Sequence, residues 1–254
     1  MELETVIELK NVSVGFGEDL ILKNINLSVK KGEILVLIGP SGGGKTVLLK
    51  TMAGIYTPLQ GQVFCEGIDL ATLSQPERHR LAQHLGMQFQ KSALFDSLTV
   101  YENVAFPLKE QGHFSESKMD IRIKECLDAV NLSASSHLFP HEISGGMRQR
   151  LGIARAIAMK PEIVLYDDPT AGLDPINADK IVELIIDLKQ KHNSTIIVVT
   201  HSMDVAYRIN GTIALVANQD VLITGNREQT EAHPDPRVQQ FIHGRLIGPI
   251  TFES

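Results

Sequence analysis

Hydrophobic and polar positions change rhythm several times along the chain. Near the start Ile7, Leu9 and Val12 interleave with Val6, Glu8, Asn11 and Val14, and a second β-like run extends from Leu20 to Val29. The Lys30-Lys31-Gly32 break after it reads as a hairpin-type turn. Ile34–Ile38 is continuously aliphatic and bounded by turn residues, which suits a strand buried on both faces. Similar runs occur at Leu85–Phe89, Ile163–Tyr166 and Thr195–Thr200, and helical patterns lie between them at Thr46–Ala53, Ile121–Val130, Arg148–Met159 and Ala178–Lys191. Buried strands alternating with helices predict an α/β chain, a parallel sheet wrapped by helices. Residues 91–150 have helical patterns and no buried-strand run, which predicts a helical subdomain inserted in a core spanning 1–225. After Gly225 the chain turns polar and is then punctuated by Pro234, Pro236, Gly244, Gly248 and Pro249, marking 226–254 as a C-terminal extension. Within it Val238, Phe241, Ile242 and Leu246 fall at helical spacing. They predict a helix of about three turns from Pro236, stopped by Gly248-Pro249, with Ile250 and Phe252 in an extended segment beyond.

Composition narrows the function. With 24 basic and 30 acidic residues the net charge is −6, the reverse of the basic footprint a nucleic-acid-binding domain usually carries, so no nucleic-acid partner is expected. Aliphatic runs are short, five residues at Ile34–Ile38 and four at Ile196–Val199, against roughly 20 for a membrane span. The acidic Met1–Glu8 segment lacks the basic and apolar regions of a signal peptide. Cys65 and Cys126 have no metal-ligand spacing around them and are expected to be reduced thiols in a cytosolic protein.

Gly39-Pro40-Ser41-Gly42-Gly43-Gly44-Lys45-Thr46 fits G-x-x-x-x-G-K-[ST] and lies between a predicted strand and a predicted helix, the setting that confirms a phosphate-binding loop. Glycine is needed where successive N–H groups must converge on phosphate oxygens, and the helix N-terminus that follows, through Val47, presents further N–H groups to the same anion. Lys45 is then the cation on the β- and γ-phosphates of ATP, and the Thr46 hydroxyl a ligand of Mg²⁺. Ile163–Tyr166 ends in Asp167 and Asp168, and Asp167 occupies the place of the carboxylate that holds Mg²⁺ through water in phosphate-loop enzymes.

Upstream of Asp167 stands Ile143-Ser144-Gly145-Gly146-Met147-Arg148, which resembles the signature motif of ATP-binding cassette (ABC) ATPases. Further motifs of that family follow in order over residues 5 to 225. By this resemblance Phe16 stacks on adenine, and Gln90 senses Mg²⁺ and the transport partner. Asp174, in Ala171-Gly172-Leu173-Asp174, belongs to the D-loop, and His201 contacts the γ-phosphate. The implied fold is that of a phosphate-loop ABC ATPase, a RecA-like core with an antiparallel β subdomain and an inserted helical subdomain. A second anion site on one chain also has a physical reading. Two copies arranged head-to-tail can close Ser144, Gly145 and Gly146 of one over the nucleotide held by Lys45 of the other, making ATP the glue of a homodimer. There are two departures from the pattern. Met147 stands where most such signatures carry Gln, and Asp168 stands where the family has its catalytic Glu, with about 1.3–1.5 Å less reach toward the attacking water.

Residues 86–95 with 98–107, and 234–241 with Gly248-Pro249-Ile250, resemble the ATPase subunit of Mla-type phospholipid transporters. That resemblance implies a membrane permease, a Mce-type substrate-binding protein and a small STAS-domain protein as partners, and a peripheral place on the cytoplasmic face of the inner membrane. The permease would dock at Ser92–Pro107, and the tail would cross to the second copy. The alternatives are the ATPase of an importer for amino acids or another small solute, and a non-transport cassette scaffold.

Overall fold

A computed structural model describes residues 4–110 and 114–250. In chain order the elements are β1 (Thr5–Phe16), β2 (Asp19–Lys30), β3 (Ile34–Ile38), α1 (Lys45–Met52), β4 (Gln60–Cys65), β5 (Ile68–Asp69), α2 (Gln75–His84) and β6 (Leu85–Gln88). There follow α3 (Val100–Glu110), α4 (Glu116–Ala129), α5 (Gly145–Ala156), β7 (Ile163–Asp167), α6 (Pro175–His192) and β8 (Thr195–Val199). Last come α7 (Met203–Ile209), β9 (Thr212–Ala217), β10 (Asp220–Gly225), α8 (Arg227–Glu231) and α9 (Pro236–Ile242). The chain divides into two compact units, one of residues up to His79 and from Thr195 onward, the other Arg80–Ser194.

In the first unit β1 and β2 form an antiparallel hairpin that β4 and β5 extend, in the order β2-β1-β4-β5. The buried Ile7, Leu9, Val12, Leu22 and Ile25 share its core. A second set runs β10-β9-β3-β8, with β3 parallel to both neighbours and β10 antiparallel to β9. All of β8 is buried and nearly all of β3, the two-sided burial that continuous aliphatic runs imply. The β9–β10 hairpin was not legible as a pair. Most of β10 is exposed or half-buried, and the turn depends on Asn218 and Gln219 taking left-handed backbone, φ 53° and 63°.

In the second unit β6 pairs in parallel with β7, and helices make up the rest. Helix starts lie upstream of the apolar stripes because caps, not stripes, set them. Ser144 accepts from Met147 N at 3.3 Å to open α5, and Asp174 accepts from Ile176 N and Asn177 N at 3.1 Å each to open α6. Helix α3 follows Thr99-x-x-Glu102, a reciprocal capping box in which Glu102 Oε2 accepts from Thr99 N at 2.8 Å and Thr99 Oγ1 from Glu102 N at 3.2 Å. Cys65 and Cys126 are free and buried, and burial pushes their thiols up to about 12 and about 11, so neither ionises readily.

The tail departs from its predicted form. Helix α9 ends at Ile242, followed by Gly244 at φ 60°, so the stripe splits: Val238 is buried while Leu246 is 91% exposed. Gly248 does not stop a helix. A Cβ there would lie 2.3 Å from Gln240 Oε1, because the buried Gln240 carboxamide holds the returning chain, accepting from Ile250 N at 2.7 Å and donating to Ile250 O at 3.2 Å. Asn218 Nδ2 donates to Pro249 O at 2.9 Å, and Arg237 pairs with Asp220 of β10 and with Asp235, the α9 N-cap. Ile250 is buried, and Phe252 lies outside the described residues. Gln240→Ala would strand two backbone groups, a loss of about 1–3 kcal/mol for each group left unsatisfied. Earlier unfolding in urea and faster proteolysis after Arg245 are the expected results, and wild-type values for both would show that the carboxamide does not hold the tail. The Arg237 guanidinium keeps the Asp235 carboxyl below its ordinary range. Its contribution is therefore complete above the usual carboxylate pKa of about 4 and is lost as pH falls through the lowered value.

Candidate functional site

In the first unit, the loop from Gly39 to Gly44 leaves β3 and enters α1. Gly39 has φ 144°, and a Cβ on it would meet Val216 O of β9 at 2.2 Å, so this glycine is demanded by packing as well as by phosphate access. Gly43 N donates to Pro40 O at 3.1 Å and tightens the turn, while Ser41 and Gly42 stand exposed at its tip. Gly44, the N-cap of α1, has no side chain to cap the first turn, so the N–H groups of Lys45, Thr46 and Val47 open an uncapped helix N-terminus. Lys45 is 4% exposed. Its Nζ donates to Gly39 O at 2.8 Å and Pro40 O at 2.6 Å, which stations the ammonium at the mouth of the loop.

Two further predicted residues belong to this unit. Phe16, 49% exposed at the end of β1, packs in a T-shaped pair with Tyr56 at a centroid distance of 5.1 Å and an interplanar angle of 80°. Tyr56 in turn lies under the Lys50 ammonium at 5.5 Å. An exposed ring so braced is suited to stacking on a base. Tyr56 escaped the sequence reading, since no motif spacing marks it. His201 is placed by register: Leu37 pairs with Val199 in the parallel β3–β8 ladder, so Gly39 and His201 each follow by two residues and emerge at the same carboxyl end.

The second unit repeats that arrangement. Gln88 pairs with Tyr166 across β6 and β7, so Gln90 and Asp168 each follow by two residues at the carboxyl end. Asp167 is 2% exposed and Asp168 7%, and Asp168 has left-handed backbone at φ 48°, a conformation Asp tolerates better than most residues. Ala171 N donates to Asp168 O at 3.0 Å, turning the chain toward Asp174. Asn177 Nδ2 donates to Asp174 Oδ2 at 2.5 Å, and this bond with the α6 N–H groups holds the Asp174 carboxyl below its ordinary range. Its carboxylate is thus committed to the helix it begins. The exposed Ser144 likewise caps α5, with Gly145 beside it, and Gly146 faces Leu173 and Asn177. The signature borders a cavity of about 450 Å³ whose lining includes Ser144, Gly146, Arg150, Asn177 and Lys180.

The predicted site residues therefore fall into two groups. Phe16, Gly39–Val47 and His201 belong to one unit, and Gln90, Ser144–Gly146, Asp167, Asp168 and Asp174 to the other. Chemically, the first offers N–H donors and an ammonium to a polyphosphate. The Thr46 hydroxyl, the Asp167 carboxylate and the Gln90 carboxamide are oxygen donors of the hard kind that suits Mg²⁺.

Comparison with known proteins settles the class. The pattern that defines the ABC transporter family matches residues 22–171. Over 250 residues the chain is 39% identical to the intermembrane phospholipid transport system ATP-binding protein MlaF of Haemophilus influenzae, covering 98% of this chain and 95% of that one. It is 37% identical to a probable ribonucleotide transport ATP-binding protein, mkl, of Mycobacterium leprae, covering 98% of this chain and 72% of that protein. Among solved structures it resembles a dimeric ATP-binding cassette in a post-hydrolysis state bound to ADP and Pi, with a TM-score of 0.77 and 35% identity over 85% of this chain and 96% of that one. The chain belongs to the ABC transporter family. It has the phosphate-loop ABC ATPase fold and is an ATPase.

Lys45→Ala should weaken ATP binding about 100-fold, since charge-assisted contacts to two phosphates are removed. A dissociation constant within a factor of two of wild type would refute the phosphate-loop assignment. Asp168→Asn keeps the left-handed backbone and should retain ATP binding while hydrolysis falls. Asp168→Glu should hydrolyse faster, with a gain of tenfold corresponding to about 1.4 kcal/mol of barrier. A slower Glu variant would mean the surroundings are fitted to Asp.

Proposed function

We propose that two copies of this chain, each bringing its phosphate loop to the other's signature, bind and hydrolyse Mg²⁺-ATP on the cytoplasmic face of an inner membrane and drive a permease that moves phospholipids. The 39% identity with MlaF over nearly the full length of both chains is the observation that carries this reading. In it Lys45 and His201 bind the β- and γ-phosphates, Phe16 stacks on adenine, and Thr46, Asp167 and Gln90 serve Mg²⁺. Asp168 is the general base for the attacking water. Ser144–Gly146 and Asp174 act on the nucleotide held by the other copy. A Mce-type protein and a STAS-domain protein complete the assembly.

The surface suited to the permease lies in the Ser92–Pro107 segment. Phe95 and Phe106 pack at 4.4 Å and remain 39% and 37% exposed. Asn103 staples the segment beneath them, donating to the carbonyls of Phe95, Leu98 and Thr99 at 3.0–3.1 Å and accepting from Phe95 N at 3.0 Å. Such a patch offers apolar area on a fixed backbone. The exposed Leu246 and Ile247 of the tail offer a second apolar surface, for the partner copy. A second reading has its own support: the likeness to mkl favours a ribonucleotide as cargo.

Affinity isolation from native membranes decides between them. Co-purification of a permease with a Mce-domain protein and bound phospholipid is the expected result, whereas subunits without a Mce domain would transfer the reading to small solutes. Composite sites have a separate test. Ser144→Arg and Lys45→Ala chains should each be inactive in hydrolysis, yet their mixture should recover partial activity, because one of the two sites in a mixed dimer carries neither lesion. No recovery with mixed dimers demonstrably present would count against sites shared between copies.

A further inference from the structure

Gln90 stands in a turn closed by two backbone hydrogen bonds of its own, from Ser92 N to Phe89 O at 2.6 Å and from Ala93 N to Lys91 O at 2.7 Å. Ser92 and Ala93 both have left-handed backbone, φ 55° and 43°, and neither is a residue that favours it. The turn is braced further from α5. Gln149, 7% exposed on that helix, accepts at Oε1 from Gln88 Nε2 at 2.9 Å and from Ser92 Oγ at 3.0 Å, and its Nε2 donates to the Gln90 carbonyl at 3.3 Å. Farther along, Arg155 donates to the carbonyls of Ser92 at 2.7 Å and Ala93 at 2.8 Å. Between them Gly152 lets the helix press close: a Cβ there would come within 3.2 Å of the Ser92 side chain and 3.3 Å of that of Gln88. Gln149, Gly152 and Arg155 follow at intervals of three and share one face of α5.

The chemistry fixes the orientation of the Gln149 amide. Turned over, it would set N–H against the Gln88 N–H and its oxygen against the Gln90 carbonyl. Gln88 Oε1 is buried with no hydrogen-bond partner, so Gln88 serves this cluster through its N–H₂ alone. Keeping a polar side chain with an orphaned acceptor in a fully buried place points to a use for its donors.

We propose that Gln149 is a positioning residue for Gln90. Its carboxamide joins the Gln90 turn to the helix that Ser144 caps, so that a push on the turn moves the signature with it. This rests on the proposed role of Gln90 in sensing Mg²⁺ and the permease.

Gln149→Glu tests it in the intact transporter. The substitution keeps the size and both accepted hydrogen bonds but puts an oxygen where Nε2 met the Gln90 carbonyl. The Mg²⁺ concentration for half-maximal ATPase activity should rise about threefold to tenfold, the scale of one hydrogen bond, with the ATP dissociation constant unchanged. Amide hydrogen exchange at residues 90–93 should quicken. In a Gln90→Ala background the same substitution should leave the Mg²⁺ dependence where Gln90→Ala set it. Effects that simply add, or a Gln149→Glu protein with wild-type Mg²⁺ dependence and wild-type exchange, would overturn the proposal. If Gln90→Ala itself has wild-type Mg²⁺ dependence, the role of Gln90 fails, and exchange at 90–93 still decides whether Gln149 holds the turn. Should Gln149→Glu not fold, Ser92→Ala, which removes one leg of the same cluster, must quicken that exchange and shift the Mg²⁺ dependence by about twofold; no change in either would sink the idea.

Discussion

The phosphate loop, His201, Gln90 and Asp168 all depend on parallel strands ending together. A parallel ladder fixes the offset of neighbouring strands through evenly spaced backbone hydrogen bonds, so a residue a fixed number of positions beyond one pair is delivered beside its counterpart. Two residues beyond Leu37–Val199 come Gly39 and His201, and two beyond Gln88–Tyr166 come Gln90 and Asp168. The side chains need no loop to carry them, only strands that stop. The phosphate loop adds a second contact of the same kind, because Gly39 rests on the Val216 carbonyl of β9 and its position is set by another strand of the same sheet.

Strands that bury an unbroken run, and the alternating β2, were legible in the sequence, whereas the mostly exposed β10 was not. Ile34–Ile38 was read to the residue, and Ile163–Tyr166 and Thr195–Thr200 to within one, because full burial leaves no polar position to blur the edges. Helices α5 and α6 were placed but entered too late, since their first turns are fixed by Ser144 and Asp174 through hydrogen bonds that no hydrophobic period records. Helix α3 falls in the block expected to be helical and in the segment expected to dock the permease, but its start at Thr99 and Glu102, a capping box, carries no hydrophobic period that would have set its bounds. The tail misled in the opposite sense. Its four apolar residues kept helical spacing, but a buried glutamine at position 240 made a closer partner for Ile250 than another turn of helix would have been.

The motif residues were nearly all visible, but not their second occupations. Ser144 and Asp174 were singled out for nucleotide and are also the caps of the helices they head. Capping orients the hydroxyl and the carboxylate in advance, so the nucleotide contacts proposed for them would cost less ordering entropy. Tyr56 and Gln149 show the reverse case. Neither belongs to a pattern defined by spacing, and each matters through the residue it braces.

The two buried cysteines have a practical corollary. With both thiols enclosed and their acidity suppressed, neither supplies an appreciable thiolate near neutral pH, so maleimides and similar electrophiles have little native background to consume. A single cysteine placed at an exposed position such as Ile247 in the tail, or Ser97 in the segment ahead of α3, would then be the dominant reactive thiol of the chain. Spectroscopic rulers between such positions could follow the cycle of the protein with its natural cysteines left in place.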